Sequence, residues 1–248
     1  MKCRLSRGVQ FSNPSLDYYP KMSFIKPHHQ ELYKSSLPKC KSQLGQEIFA
    51  LIQNDFKRDG YFIEFGATNG LELSNTHLLE KEFGWTGILA EPAVVWHKEL
   101  RENRVCNIET QCVWSKSGEI LSFHESDEAV LSTVNSLRTM ADGNKNHRLA
   151  GKQYDVQTIS LEDLLKKYSA PKKIDYLSID TEGSEYEILS NFNFDAYDIR
   201  AITCEHNYIP EREQIYKLLT SKGYFRVDTD KSKWDDWYTK AKPVLLYV

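Results

Sequence analysis

The chain has 248 residues, 40% of them hydrophobic, which is enough to bury the core of one large domain. Its formal net charge is −3, so it lacks the basic balance typical of proteins that bind nucleic acids or anionic membranes. No apolar run in the sequence is long enough to span a bilayer. We therefore expect neither a nucleic-acid partner nor a membrane span.

Residues 1–41 contain half of the prolines and little periodicity, which predicts an irregular lead-in to a domain at 42–248. The segment Met1–Met22 has no apolar core, so we expect no signal peptide. The five cysteines form no Cys-x-x-Cys pair, which disfavours a zinc knuckle or a disulfide framework. Cysteines within apolar runs are typical of a reducing compartment, and this predicts a cytoplasmic protein.

The first predicted elements are a helix and a buried strand. Apolar residues recur at spacings of three and four in Ser42–Ile52, which predicts an amphipathic helix capped by Ser42. The short apolar run Tyr61–Phe65 predicts a buried strand, and a turn at Gly66–Gly70 leads into a helix at about Leu71–Phe83. A glycine turn between a strand and a helix allows a ligand to approach the backbone. We expect this turn to form the floor of a nucleoside-binding site.

A second strand, Gly87–Pro92, ends on the acid Glu91. This acid follows Gly70 by about 20 residues, the spacing at which nucleoside-binding folds place an acid on the ribose hydroxyls. A third strand is predicted at Ile108–Trp114 and a short one at Ile120–His124. Polar residues dominate 126–151, which predicts a lid or loop insertion.

Further strands and helices alternate along the rest of the chain. Tyr154–Ile159 alternates like an edge strand, and Ser160 is placed to cap the helix that follows. The last two strands are predicted as an antiparallel pair separated by a loop over the sheet at Lys231–Lys242. The remaining predicted strands are Ile174–Asp180, Ile199–Asn207, Tyr224–Val227 and Val244–Val248, with a helix at Glu211–Lys222. This alternation predicts an α/β fold with a mostly parallel sheet.

Four of these strands end in polar clusters. The later clusters are Asp180-Thr181-Glu182 and Glu205-His206-Asn207, and the earlier ones surround Glu64 and Glu91. Each alone could be a solvated strand end or a charge that favours a helix dipole. In a parallel sheet, however, all four ends lie at one edge, so together they indicate a ligand site.

The sequence resembles the FkbM family of S-adenosylmethionine-dependent methyltransferases. The resemblance covers about residues 42–228, and its most specific part is the Asp-x-Glu-Gly-x-Glu run at Asp180–Glu185. The matching segments are Phe62–Gly70, Gly87–Pro92, Leu177–Glu185 and Glu205–Asn207, with Ser42–Phe49 and Ser74–Thr76. The resemblance implies a class I methyltransferase (Rossmann-like) fold, with a seven-stranded mostly parallel sheet, an antiparallel last strand and helices on both faces. It also implies O-methylation of a hydroxyl on a sugar, glycan or secondary metabolite.

The resemblance further assigns roles by position. Residues expected to bind S-adenosylmethionine are Glu64, Gly66, Ala67, Asn69, Gly70, Ser74, Glu91, Val113 and Trp114. Among these, Glu91 would hold the ribose hydroxyls, and Val113 and Trp114 would lie near the adenine. Asp180 would lie nearest the transferred methyl group, and the catalytic candidates are Asp180, His206 and Glu182.

Chemistry leaves two routes to a methylated hydroxyl. An alcohol has a pKa far above seven, so methyl transfer needs a base or a metal ion that increases its alkoxide character. His206 or Asp180 could be the base. Alternatively Asp180, Glu205 and His206, together with Glu182, could hold Mg²⁺ or Mn²⁺.

Other functions also fit parts of the pattern. An NAD(P)-dependent oxidoreductase shares the strand, turn and second-strand acid, although it would favour a Gly-x-Gly-x-x-Gly turn. A metal-dependent hydrolase could use Asp180, Glu182, Glu205 and His206. The acceptor expected from the resemblance is a sugar or a nucleotide-linked sugar. Segment 126–151 and the aromatic residues Trp234, Trp237 and Tyr238 could form its pocket, although these aromatic residues fit a core or surface position equally well. The sequence leaves a homodimer open.

Overall fold

A computed structural model describes residue 22 and residues 25–140, 144–227 and 229–240. Its strands form a seven-stranded and a four-stranded sheet. The larger sheet contains β1 (Tyr61–Phe65), β2 (Thr86–Ala90), β3 (Asn107–Glu109), β8 (Lys173–Ile179), β9 (Asp198–Glu205), β10 (Phe225–Val227) and β11 (Asp235–Thr239). The smaller sheet contains β4 (Cys112–Trp114), β5 (Ile120–Ser126), β6 (Thr133–Val134) and β7 (Gly151–Ser160).

The large sheet has the strand order β10-β11-β9-β8-β1-β2-β3. Strand β1 lies in the interior and pairs in parallel with β2 and β8, and β8 pairs in parallel with β9. The last strand, β11, is antiparallel to both of its neighbours, β9 and β10. The predicted class I methyltransferase fold, with an antiparallel last strand in a mostly parallel sheet, is therefore confirmed.

Helices cover both faces of this sheet. They are α1 (Gln30–Ser36), α2 (Gln46–Gln53), α3 (His77–Phe83), α4 (His97–Asn103), α5 (Leu161–Lys167), α6 (Glu185–Ser190) and α7 (Glu211–Ser221). Side chains of β1 alternate between the two faces, so Ile63 packs with residues of α5, α6 and α7, whereas Phe62 packs with residues of α2, α3 and α4. None of the helices in the described ranges is long and apolar enough to cross a membrane.

The end of the sheet differs from the prediction. The predicted loop Lys231–Lys242 contains β11, which inserts between β9 and β10, while the predicted strand Val244–Val248 lies outside the described residues. Two aspartates give β11 a weak strand signal. Each is compensated in the fold, because Asp235 accepts a hydrogen bond from Gln46 and Asp236 binds Arg212.

Two predicted strands near the middle of the chain also change. Ile108–Trp114 is not one strand: it divides into β3 and β4, which belong to different sheets. The break lies at a turn in which the Glu109 carboxylate accepts the N–H groups of Thr110 and Gln111. The predicted edge strand Tyr154–Ile159 lies within β7, an inner strand that pairs with β4 and β5.

Some helix boundaries move as well. The helix after β1 begins at His77 rather than near Leu71, and α2 begins after Gly45, which adopts a left-handed φ of 85°, rather than after a Ser42 cap. Ser160 does cap α5, since its side chain accepts the Asp163 N–H. The predicted irregular lead-in holds α1, and the predicted lid segment holds β6.

Candidate active site

A cavity of about 440 Å³ opens at the carboxyl ends of β1, β2, β8 and β9. Its opposite wall comes from residues 129–134, between β5 and the end of β6. All four strand ends that carry polar clusters contribute side chains to it. Of the predicted site residues, those that line the cavity are Glu64, Gly66, Glu91, Val113, Asp180, Glu182 and Glu205.

Glu64 lines one wall of the cavity and fixes the loop that follows β1. Its buried carboxylate accepts hydrogen bonds from the Asn75 N–H at 2.7 Å, from the Ser74 hydroxyl at 3.0 Å and from the Thr76 hydroxyl. The buried Arg104 guanidinium lies 3.8 Å away. Burial raises the pKa of Glu64, although Arg104 and these donors oppose the rise. The acid therefore ties the segment before α3 to the end of β1.

The two glycines of the turn satisfy packing requirements. Both have left-handed backbones, with φ of 73° at Gly66 and 74° at Gly70. A Cβ on Gly66 would lie 1.9 Å from the Asp180 carbonyl oxygen, and one on Gly70 would lie 2.6 Å from Leu100 Cδ1. Gly66 therefore lets the ends of β1 and β8 come together at the cavity, whereas Gly70 seats the turn against α4.

Asn69 and Ser74 organise the same turn from behind the cavity wall. The Asn69 side chain accepts the N–H groups of Leu71 at 3.0 Å and Glu72 at 2.9 Å. The Ser74 hydroxyl accepts the His77 N–H while it donates to Glu64. The predicted cofactor residues of this loop that do not line the cavity are Ala67, Asn69, Gly70 and Ser74. Their polar groups hold the loop that does.

Glu91 is the acid at the end of β2 and is only 5% exposed. One carboxylate oxygen accepts the Thr68 N–H and the other accepts the Ala93 N–H, each at 2.8 Å. Burial raises the pKa of Glu91 to about 7, and the nearby Asp180 and Glu125 carboxylates add to this rise. Each oxygen keeps a further lone pair, so the carboxylate can also accept hydrogen bonds from ligand hydroxyls.

Three carboxylates form a cluster at the ends of β8 and β9. Ligand atoms of Asp180, Glu182 and Glu205 all lie within 4.8 Å of one another. Burial raises the pKa of Asp180 to about 6. The pKa of Glu205 rises well above its usual range because Glu205 is buried beside the other acids. Such a cluster must hold a proton or a cation, and oxygen donors of this kind suit Mg²⁺ or Mn²⁺.

The third member of this cluster, Glu182, is held by Thr133 of the opposite wall and by Arg148, from the loop between β6 and β7. Its carboxylate pairs with the fully buried Arg148 at 2.7 Å, and its carbonyl accepts the Thr133 hydroxyl at 2.9 Å. Glu182 has a left-handed backbone with φ of 55°, which is strained for a residue with a side chain. The surrounding contacts hold this geometry at the cavity.

His206 does not occupy the position predicted for it. Its side chain lies outside the cavity lining. Nδ1 accepts the Tyr208 N–H at 2.9 Å, and Nε2 faces the buried Asp236 carboxylate at 3.7 Å. Burial lowers the pKa of His206, which the Asp236 charge opposes. The structure therefore places His206 outside the carboxylate cluster, which contains Glu182, another predicted residue, together with Asp180 and Glu205.

Of the three aromatic residues that were candidates for the acceptor pocket, only one lines the cavity. Trp234 lines the cavity, whereas Trp237 and Tyr238 are core residues of β11. Val113 lines the cavity, but its neighbour Trp114 does not.

Several lining residues carry no sequence signal for a site. Tyr208, Gln43 and Phe123 are such residues. The apolar residues Val130, Leu131 and Val134, by contrast, lie in segment 126–151, which was expected to contribute to the acceptor pocket. Backbone strain would have marked some of the lining. Left-handed φ values occur at the lining residues Thr68, Leu73, Glu182, Asn207 and Tyr208. Strain of this kind concentrates at functional sites, but it is visible only in a structure.

Comparisons with known proteins point to one family. Residues 64–237 match the family described as "Methyltransferase FkbM domain". No curated protein matches the sequence. One similar solved structure is an O-methyltransferase from Bacillus cereus in complex with SAH. It is 16% identical, with 88% of this chain and 90% of that chain covered and a TM-score of 0.42.

A second similar structure is the precorrin-6y C5,15-methyltransferase from Geobacter metallireducens GS-15. It is 9% identical, with 74% of this chain and 73% of that chain covered and a TM-score of 0.42. Both likenesses are distant, whereas the family match spans most of the chain and includes every strand end at the cavity. The chain therefore belongs to the FkbM family of S-adenosylmethionine-dependent methyltransferases.

Proposed function

We propose that the chain transfers the methyl group of S-adenosylmethionine to a hydroxyl of a sugar-containing acceptor. The observation that supports transfer to oxygen is the cluster of Asp180, Glu182 and Glu205 in the same cavity as Glu91. A hydroxyl reacts only as its proton is withdrawn, and carboxylates or a cation that they hold can do this. An acceptor that is already nucleophilic would not need such a cluster.

The cofactor half of the cavity lies at β1 and β2. When bound, S-adenosylmethionine supplies a methyl group attached to a sulfonium sulfur, and this sulfur is the leaving group of the transfer. The Glu91 carboxylate would accept hydrogen bonds from the ribose hydroxyls. The apolar side chains of Val113 and Phe123 suit the adenine ring.

The acceptor half lies at β8 and β9. Asp180, Glu182 and Glu205 would hold one divalent cation, Mg²⁺ or Mn²⁺, which would lower the pKa of an acceptor hydroxyl. With all three acids ionised and Arg148 paired to Glu182, the group carries two negative charges, which one such cation balances. Asp180 is the nearest candidate to take the hydroxyl proton, since it stands at the end of β8 beside the tip of β1.

The test is a transfer assay with labelled S-adenosylmethionine and a panel of saccharides, with the methyl position assigned by mass spectrometry and NMR. We expect an O-methyl product, and a product methylated on nitrogen or carbon would contradict the proposal. Dialysis against a chelator should abolish transfer, and added Mg²⁺ or Mn²⁺ should restore it. If the chelator has no effect, Asp180 acts as a base without a metal.

A matched control is available for the metal experiment. His28, His29 and Asp55 are the only other group of potential ligands among the described residues. They do not line the cavity. His29→Gln should leave the chelator response unchanged, whereas Asp180→Asn should remove the rescue by metal.

A further inference from the structure

The charge of the cavity bears on the acceptor that it can bind. Among the described residues, no lysine, arginine or histidine lines the cavity. Six acids line it: Glu64, Glu72, Glu91, Asp180, Glu182 and Glu205. A phosphate group is normally bound by arginine, lysine or free backbone amides. The ionisable side chains of this cavity are acidic instead, so when ionised they carry the same negative charge as a phosphate.

The backbone amides beside the strand ends are also occupied. The Thr181 and Gly183 N–H groups point to the Glu185 carboxylate, at 2.8 and 3.1 Å. The Thr68 N–H donates to Glu91, and the Asn75 N–H donates to Glu64. Amides at such turns are the usual anion-binding groups of nucleotide sites. Here, internal carboxylates already take the place of a ligand phosphate.

Among the described residues, the cations that come close to lining residues do not line the cavity themselves. The buried Arg104 lies 3.8 Å from the Glu64 carboxylate. Arg148 pairs with Glu182 at 2.7 Å. The Lys233 ammonium lies 5.4 Å from the centre of the Trp234 ring. With Arg148 paired to Glu182, a divalent cation on the three-carboxylate cluster would only balance the negative charge of that group. Neither source gives the cavity a positive charge for a phosphate.

An aromatic rim stands beside the cluster instead. Tyr208 lines the cavity with 66% of its surface exposed, and its backbone is left-handed with φ of 59°. Trp234 lies next to Tyr208. The Trp234 carbonyl accepts hydrogen bonds from the two residues that precede Tyr208, from the His206 N–H at 2.8 Å and from the Asn207 N–H at 3.3 Å. His206 holds Tyr208 through its ring nitrogen. Large aromatic side chains offer an apolar face with a polar edge, which suits the apolar face of a sugar ring.

We propose that the acceptor is an uncharged saccharide ring that stacks on Tyr208 and Trp234, and that phosphate-linked acceptors, including nucleotide diphosphate sugars, are excluded. This inference rests on the O-methyltransferase function proposed above. It narrows the acceptor class through charge and shape. The carboxylates select against negative charge, and the aromatic rim orients the ring so that one hydroxyl faces the cluster.

The first experiment compares matched acceptors. Methyl glycosides and the 1-phosphates of the same sugars are offered with labelled S-adenosylmethionine, and initial rates are measured. We expect each methylated sugar to react faster as the glycoside than as the phosphate, by about tenfold or more. Equal or faster reaction of the phosphates would overturn the proposal.

The second experiment needs no knowledge of the acceptor. UDP is titrated calorimetrically into protein saturated with S-adenosylhomocysteine. Wild type and the control Glu119→Lys, whose exposed side chain lies away from the cavity, should show no binding. Glu72→Lys makes the same charge change at the cavity and should gain UDP binding. Micromolar binding by wild type, or no gain in Glu72→Lys, would overturn the charge argument.

The third experiment tests the aromatic rim. Tyr208→Ala should raise the KM for the glycoside by about tenfold while leaving S-adenosylhomocysteine affinity unchanged, and Tyr208→Phe should retain the wild-type KM. An unchanged KM in Tyr208→Ala would overturn the stacking role.

Methylation only on nitrogen would refute the proposed function and leave the charge selection standing. O-methylation of the sugar phosphates would refute the charge selection alone.

Discussion

Replacement of Glu91 by glutamine should weaken cofactor binding and change its pH dependence. In wild type the pKa of Glu91 is raised to about 7, so the carboxyl holds its proton below that pH and is ionised above it. The ionised form is the better acceptor for ribose hydroxyls, so affinity for S-adenosylhomocysteine should rise with pH. From the ionised fraction, the dissociation constant at about pH 6 should be roughly tenfold higher than at about pH 8.

The size of the loss follows from the hydrogen bonds at stake. A hydrogen bond to a charged group contributes about 1.5–3 kcal/mol, so Glu91→Gln should weaken binding roughly 10- to 150-fold at about pH 8. The variant should also lose most of the pH dependence, because the amide does not titrate. The glutamine NH₂ would face the N–H of Thr68 or Ala93, so the melting temperature of each variant must be measured as well.

The assay is calorimetric titration of S-adenosylhomocysteine from about pH 6 to about pH 8. Glu109→Gln is the matched control: Glu109 ends the neighbouring strand β3 and is equally buried, but it pairs with Lys167 and does not line the cavity. Its affinity should equal that of wild type. A wild-type affinity that does not change with pH, or an unchanged affinity in Glu91→Gln, would refute the ribose role.

Three other substitutions test the architecture of the site. Gly66→Ala should destabilise the fold by several kcal/mol, because the new Cβ would meet the Asp180 carbonyl. The control Gly223→Ala, at a similar φ but with open space around the Cβ, should cost about 1–2 kcal/mol. Equal melting temperatures of the two variants would contradict this. Arg104→Met should cost about 3–5 kcal/mol in denaturant unfolding, since it leaves buried acids without their cation; a loss below about 1 kcal/mol would show that the acids are not charged partners. Asp180→Asn should lower turnover at saturating cofactor by about 10²–10⁴-fold, while His206→Asn should lower it far less; equal losses would return His206 to the catalytic group.

Much of the site was predictable because strand ends and parallel pairing follow from local patterns. Glu91 was found from its distance to the glycine turn, and Asp180 from its place after a buried apolar run. The family match also decides against an oxidoreductase or a hydrolase, which the same residues had left open. The acceptor is the part that the family does not define.

The position of His206 outside the cavity lining has a simple physical cause. Successive side chains along an extended chain point to opposite sides, so if Glu205, the last residue of β9, faces the cavity, the next residue, His206, faces away. This rule could have been applied to the sequence alone. The strand β11 could not have been found in this way, since Asp235 is accommodated by Gln46, a partner 189 residues away in the chain.

The glycine turn shows a different limit. Gly66 and Gly70 were expected to make room for a ligand. Both are required, but the atoms that need the space belong to Asp180 and to α4. Sequence shows that a position needs glycine, and only the packed structure shows what lies against it.

The most direct test of the central claim is a crystal structure of the protein with S-adenosylhomocysteine. The ribose hydroxyls should lie within hydrogen-bond distance of the Glu91 carboxylate, with the sulfur on the side of Asp180 and Glu205. Binding of the ligand outside this cavity, or with its ribose away from Glu91, would contradict the account.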